Sequence, residues 1–192
     1  VMCPGKEDMF RFLEDIVREV VPLFPGKYFH IGGDECPKTS WKNCPTCQKR
    51  IQAEGLQADG KHSAEERLQS YVIKRMEKML AKYGRKIIGW DEILEGGLSP
   101  EATVMSWRGT SGGISAALQK HDVIMTPGSG GLYLDHYQGD YKIEPVTIPS
   151  APAYLSRTYN YEPVPDTIKS LGLEKHILGV QCNNWSEYMY TN

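Results

Sequence analysis

Short apolar runs alternate with helical stretches along this chain, and that alternation limits the possible folds more than any other feature. Phe10, Leu13, Ile16, Val17, Val20 and Val21 recur at helical spacing and stop at Pro22 and Pro25-Gly26. An apolar run over 27–32 follows and reads as a strand. A polar connection, with a short helix near 45–54, leads to Ser63-Ala-Glu-Glu66, a capping box. The capping box opens a long helix that carries Leu68, Val72, Met76, Met79, Leu80 and Tyr83, and Gly84 stands where a terminating glycine belongs. Further strands are expected at 86–90, 102–107, 122–127 and 177–183, with a helix over 113–121 and a proline-rich loop over 139–165. Short, nearly all-apolar strands between helices imply parallel strands buried on both faces, in an α/β fold.

Composition narrows the function classes. Of 192 residues, 40% are hydrophobic and 24% charged, as in ordinary globular domains, so one core can form. A net charge of −2 gives no electrostatic reason to expect nucleic acid or an anionic membrane as partner. No apolar run reaches membrane-spanning length. The opening VMCPGKEDMF lacks the charged and apolar regions of a signal peptide and reads as a loop before a helix, as in a segment cut from a longer protein.

The strand ends share a character. The first runs into Asp34-Glu35, the second into Trp90-Asp91-Glu92, and the third into Trp107-Arg108. The fourth leads to Tyr133-Leu134-Asp135 and the last to Asn183-Asn184-Trp185-Ser186-Glu187. Aromatic or acidic residues after every strand match a (β/α)8 barrel, whose chemistry sits at the C-terminal face of its strands. Five strands make it a partial TIM barrel with outer helices. Pyranose rings offer apolar C–H faces to aromatic rings and hydroxyls to carboxylates, so Trp90, Trp107 and Trp185 point to a sugar site. Each tryptophan taken alone reads equally well as core packing.

FHIGGDEC, residues 29–36, is the sharpest stretch. Successive strand side chains point to opposite faces, so adjacent Asp34 and Glu35 serve one site only where strand geometry fails. Gly32 and Gly33 allow that failure. Two carboxylates are the minimal kit of glycoside hydrolysis, but the usual pair lies on separate strands.

Read whole, HIGGDE resembles the signature of glycoside hydrolase family 20, the β-N-acetylhexosaminidases. GWDEI, SWRG, LYLDHY and NNWSEY resemble the family's later motifs in the same order. The resemblance covers 1–192 as a single fragment of the catalytic barrel, about strands 4 to 8, with strands 1–3 absent. It implies exo-acting hydrolysis of terminal β-linked N-acetylglucosamine or N-acetylgalactosamine, with retention and with the substrate's 2-acetamido oxygen as nucleophile through an oxazolinium intermediate. It implies Glu35 as general acid/base, Asp34 as partner of the acetamido N–H, and Tyr133 as partner of the acetamido oxygen. It further implies Trp90, Trp107 and Trp185 as aromatic walls, and Asp135 and Glu187 as acids that bind sugar hydroxyls. His30, Asp91, Glu92 and Arg108 stand behind them or serve only structural hydrogen bonding at the rim. His136 and His176 read as surface or loop histidines.

The same resemblance implies no metal or organic cofactor, glycans ending in β-linked N-acetylhexosamine as partners, and a bacterial periplasmic or cell-surface location. The family's arginine on the first strand and histidine on an early strand have no counterpart here. A half-barrel exposes strand edges, so poor turnover by the isolated chain and self-association of the partial barrel are expected. Three other readings remain: another TIM-barrel glycosidase, an inactive carbohydrate-binding relative, and a divalent-metal site built from Asp34-Glu35 and Asp91-Glu92. Five cysteines, at 3, 36, 44, 47 and 182, do not make a complete disulfide framework. Cys44-Pro-Thr-Cys47 has zinc-ribbon spacing, with Cys36 as its candidate third ligand; loop thiols or one local disulfide are the plainer readings.

Overall fold

The computed structural model describes residues 1–189 and resolves into two compact units, Val1–Thr103 and Val104–Asn192, the second described to Met189. In the first unit, α1 (Glu7–Val20) precedes β1 (Tyr28–His30), two short helices follow as α2 (Thr39–Lys42) and α3 (Pro45–Ala53), and α4 (Ala64–Ala81) leads into β2 (Lys86–Trp90). β1 and β2 pair in parallel, with Tyr28 opposite Lys86 and His30 opposite Ile88. The unit boundary falls inside β3 (Thr103–Ser106). The second unit continues with α5 (Ser111–Leu118), β4 (Val123–Met125), α6 (Leu155–Tyr159), α7 (Asp166–Ser170) and β5 (Ile177–Val180). There β3, β4 and β5 pair in order, again all parallel, with a register shift between Val123 and Ile124.

The longest helix shows why the sequence folds this way. Ser63 caps α4 by accepting the Glu66 amide at 3.2 Å, while its own amide donates to the Glu66 carboxylate at 2.6 Å. Leu68, Ile73, Met76, Met79 and Leu80 then form one buried stripe. The stripe packs on β2, where Ile87 and Ile88 are buried. Gly84, with φ of 68°, turns the chain out of the helix and into β2.

Burial on both faces holds for β2 and β3 but not for the outer strands. β1 is half-buried throughout, and β5 alternates half-buried and exposed residues. Each pairs with only one neighbour among the described residues of its unit, which leaves one long edge uncovered. Ile16, on the expected apolar stripe of α1, is 40% exposed, whereas Phe10 and Val17 are buried. No helix among the described residues is long and apolar enough to cross a membrane.

Candidate active site

In the first unit the β1·β2 ladder outlasts the strand. Ile31 donates its amide to Ile88 O, and Trp90 donates to Gly32 O, both at 2.9 Å. The chain then breaks out of extended geometry. Gly32, Gly33 and Glu35 have φ of 72°, 99° and 42°, so three of four consecutive residues are left-handed. A side chain at Gly33 would meet Ile93 Cγ2 at 2.6 Å, so this position is closed by space as well as by conformation. The expectation that strand geometry fails at the two glycines is met, and Glu35 adds a non-glycine outlier that the sequence did not reveal. Both Asp34 and Glu35 end up exposed.

The neighbouring residues are built in more deeply. Trp90 is 9% exposed and lies against the His30 ring, with centroids 4.7 Å apart. His30 Nδ1 accepts the Gly32 amide at 3.1 Å, which places the ring proton on Nε2. That Nε2 is buried with no partner, and burial pushes the His30 pKa down although the Asp34 charge pulls it up. His30 is therefore a neutral platform under the turn. Asp91 and Glu92 are buried in the short helical turn Asp91–Leu94, which fits a structural role better than an open metal site. Gln69 of α4 ties the turns together by donating to Glu92 O at 2.9 Å. Beside Asp34 opens an apolar hollow of about 320 Å³, lined by Met9, Leu13, Ile31, Ile73 and Met76 among others.

The strand ends of the second unit are organised by Asn183. Its amide donates to Leu132 O at 2.8 Å, its carbonyl accepts from Leu134 at 2.7 Å, and its side chain donates to Thr126 Oγ1 at 3.1 Å. Asn183 thus holds both sides of Tyr133, to which it also forms a parallel bridge. Two residues on, both carboxylate oxygens of Asp135 are buried without a hydrogen-bond partner. Trp107 is half-buried, Arg108 and Glu187 are exposed, and Trp185 is 42% exposed. His136 corrects an expectation. It is buried, with Nδ1 on the Ser150 carbonyl and its ring edge-on to Tyr133 at 5.2 Å, so it packs Tyr133 against the 150 segment. His176 is half-buried, with Nδ1 3.7 Å from Asp122.

Each unit therefore gathers its share of the expected residues at the C-terminal ends of its parallel strands. Asp34, Glu35 and Trp90 lie in the first; Trp107, Tyr133, Asp135, Trp185 and Glu187 lie in the second. The family model for glycosyl hydrolase family 20, catalytic domain, matches residues 1–192. The chain belongs to this family of glycoside hydrolases. It is 59% identical over its full length to a β-hexosaminidase of Porphyromonas gingivalis and 35% identical over 97% of its length to one of Vibrio furnissii. It spans 24% and 30% of those two relatives. Among solved structures it is similar to a family 20 exo-β-N-acetylglucosaminidase of Vibrio harveyi in complex with N-acetylglucosamine, with a TM-score of 0.85, 30% identity, and coverage of 100% of this chain and 29% of the other. It also resembles a β-N-acetylhexosaminidase of Bacteroides fragilis, with a TM-score of 0.77 and 27% identity over 97% of this chain and 36% of the other. The expected α/β fold, part of a (β/α)8 barrel, is what these family 20 neighbours share.

Family membership leaves the thiols unaccounted for. Cys44 occupies the N-cap position of α3 and Cys47 lies in its first turn. The Thr46 hydroxyl, and after it the Cys47 amide, bring the Cys44 pKa down to about 6, whereas burial pushes Cys47 up to about 12. The thiol that joins them is Cys3, not the expected Cys36; Cys36 packs on the same apolar cluster as a neighbour. Because 41 residues separate Cys3 from Cys44, no spacing rule pairs them.

Proposed function

We propose that this chain carries the strand-end residues of an exo-acting β-N-acetylhexosaminidase that works by retaining, substrate-assisted catalysis. The observation that carries the reading is the left-handed backbone from Gly32 to Glu35. It lifts two adjacent carboxylates off a half-buried strand and leaves both exposed. Adjacent acids suit neighbouring atoms of one substrate. Glu35 protonates the leaving glycosidic oxygen, and Asp34 accepts from the acetamido N–H while the acetamido oxygen attacks the anomeric carbon. Tyr133 donates to that oxygen, and Glu35 then deprotonates the water that opens the oxazolinium ring. The buried, unpartnered carboxylate of Asp135 is an acceptor prepared for sugar hydroxyls. Trp90, Trp107 and Trp185 wall the ring, and Glu187 binds at its rim.

The test compares the intact protein with its Glu35→Gln variant on a chromogenic β-N-acetylglucosaminide and the matching β-glucoside. Activity confined to the acetamido sugar and largely lost in the variant supports the reading. Equal rates on both sugars favour another barrel glycosidase, and binding without turnover by wild type favours a carbohydrate-binding relative. The proposal includes export to the periplasm or cell surface, which fractionation checks. It also includes weak turnover by residues 1–192 alone and their self-association through the uncovered β1 edge and the apolar hollow beside it. A monomeric, fully active 1–192 in analytical ultracentrifugation and assay would overturn both.

A further inference from the structure

The sugar chemistry makes no use of the three thiols at the start of the chain. Cys3 Sγ lies 3.6 Å from Cys44 Sγ and 3.4 Å from Cys47 Sγ, and all three sulfurs fall within 4.8 Å of one another. None of the five cysteines is in a disulfide. A disulfide would bring two sulfurs to about 2.05 Å. A tetrahedral zinc ion with bonds of about 2.3 Å spaces its sulfurs about 3.8 Å apart. The observed separations lie near the second value and far from the first.

Bare thiols in van der Waals contact reach similar distances, so the surroundings decide between packing and a site. Cys44 at the N-cap position and Cys47 in the first turn of a nine-residue helix bring both sulfurs to the same end of α3. Cys3 is carried there by dedicated contacts. Trp41 Nε1 donates to Met2 O at 2.8 Å and pins the segment that precedes it. The Cys3–Lys6 turn closes through Lys6 N to Cys3 O at 3.1 Å. Within that turn, a Cβ on Gly5 would lie 2.4 Å from the Thr46 carbonyl carbon and oxygen, so only glycine lets the turn seat on the start of α3. The cluster is backed by the buried side chains of Trp41, Ile51 and Leu68, with Cys36 packed against it.

We propose that Cys3, Cys44 and Cys47 bind a structural Zn²⁺ ion that staples the turn before α1 to the start of α3. Three thiolates fill three tetrahedral positions, and water completes the fourth. Binding releases the thiol protons to solvent and transfers no electrons. The staple anchors the far end of the loop that begins at Asp34-Glu35, nine residues after Glu35. Its role is to hold that loop, and the ion takes no part in the hydrolysis.

The first measurement is the metal content of the intact wild-type protein, purified under reducing conditions without chelator. About one equivalent of zinc per chain is expected. Stripped protein should take up cobalt(II) with a thiolate-to-cobalt charge-transfer band, and the Cys44→Ala/Cys47→Ala variant should show neither zinc nor band. Gly5→Ala should weaken uptake, and Cys182→Ala, in the other unit, should leave it unchanged. Wild-type protein that takes up neither metal would overturn the proposal, whatever the variants do. So would uptake undiminished in the Cys3→Ala/Cys44→Ala/Cys47→Ala variant, or a native disulfide between any two of the three in mass spectrometry.

Discussion

The two units present carboxylates at their strand ends in opposite ways. In the first, Asp34 and Glu35 ride on a left-handed turn and are exposed. In the second, Asp135 is held in a loop pinned by Asn183, with both oxygens buried and unpartnered. On the proposed reading, the difference matches each acid to its task. A group that gives up and regains a proton needs access and a fixed aim, which strained backbone supplies. A group that only accepts hydrogen bonds works better when already stripped of water, and the protein bears that desolvation in its folded state.

The comparison is tested most severely at Glu35. Glu35→Gln keeps the shape and removes the proton, so kcat on an acetamido sugar should fall by about 10²–10⁴-fold with little change in thermal midpoint. Loss of stability with kcat intact would assign the residue to structure.

Asp135→Asn should act on both activity and stability. A hydrogen bond to a charged group is worth about 1.5–3 kcal/mol, so kcat/KM should drop by roughly 10–150-fold. The same change removes a buried, unpaired charge, so the thermal midpoint should rise or hold. Activity and stability falling together would mean that Asp135 has a partner inside the protein and that the contrast with the first unit fails.

Gly33→Ala probes the turn itself. With φ of 99° and Ile93 Cγ2 2.6 Å from the new Cβ, a cost of about 1–3 kcal/mol is expected, read as a lower thermal midpoint. Because the turn aims Asp34 and Glu35, kcat should fall further than KM rises. An unchanged midpoint would show that the backbone there is free to relax.

How much of this was legible beforehand depended on the range of the interactions. The strand 86–90 agrees at both ends because its apolar run and its flanking turn are local signals. The apolar run predicts a first strand over 27–32, whereas β1 ends at His30, since Gly32 and Gly33 end the extended backbone. The short helices α6 and α7 leave no signal among the prolines and polar residues from 139 onward, because neither carries enough periodic residues to show a stripe. Asp34 and Glu35 were readable from one contiguous motif. The depth of Asp135, the pinning role of Asn183, the burial of His136 and the pairing of Cys3 with Cys44 and Cys47 were not, because each depends on segments distant in sequence.

The smallest effect lies away from the strand ends and sharpens the contrast by showing what a solvent-facing acid contributes to stability. Glu7 of α1 accepts from Arg75 at 2.9 Å and from Arg50 at 2.6 Å, while the Arg75 guanidinium sits 3.9 Å over the Phe10 ring. Chiefly the Arg75 hydrogen bond, and then the two positive charges, hold its pKa down to about 2, against an ordinary 4.5. A carboxylate whose folded pKa is depressed adds stability above its unfolded pKa, and that stability drains as pH falls toward the folded value. Glu7→Gln should therefore lower the thermal midpoint slightly near neutral pH, and the gap from wild type should close as pH drops from about 4.5 toward about 2. Solvent reaches the pair, so the whole increment is expected at about 1 kcal/mol or less. A gap that stays constant across that range would mean that the ion pair contributes through packing on Phe10 rather than through charge.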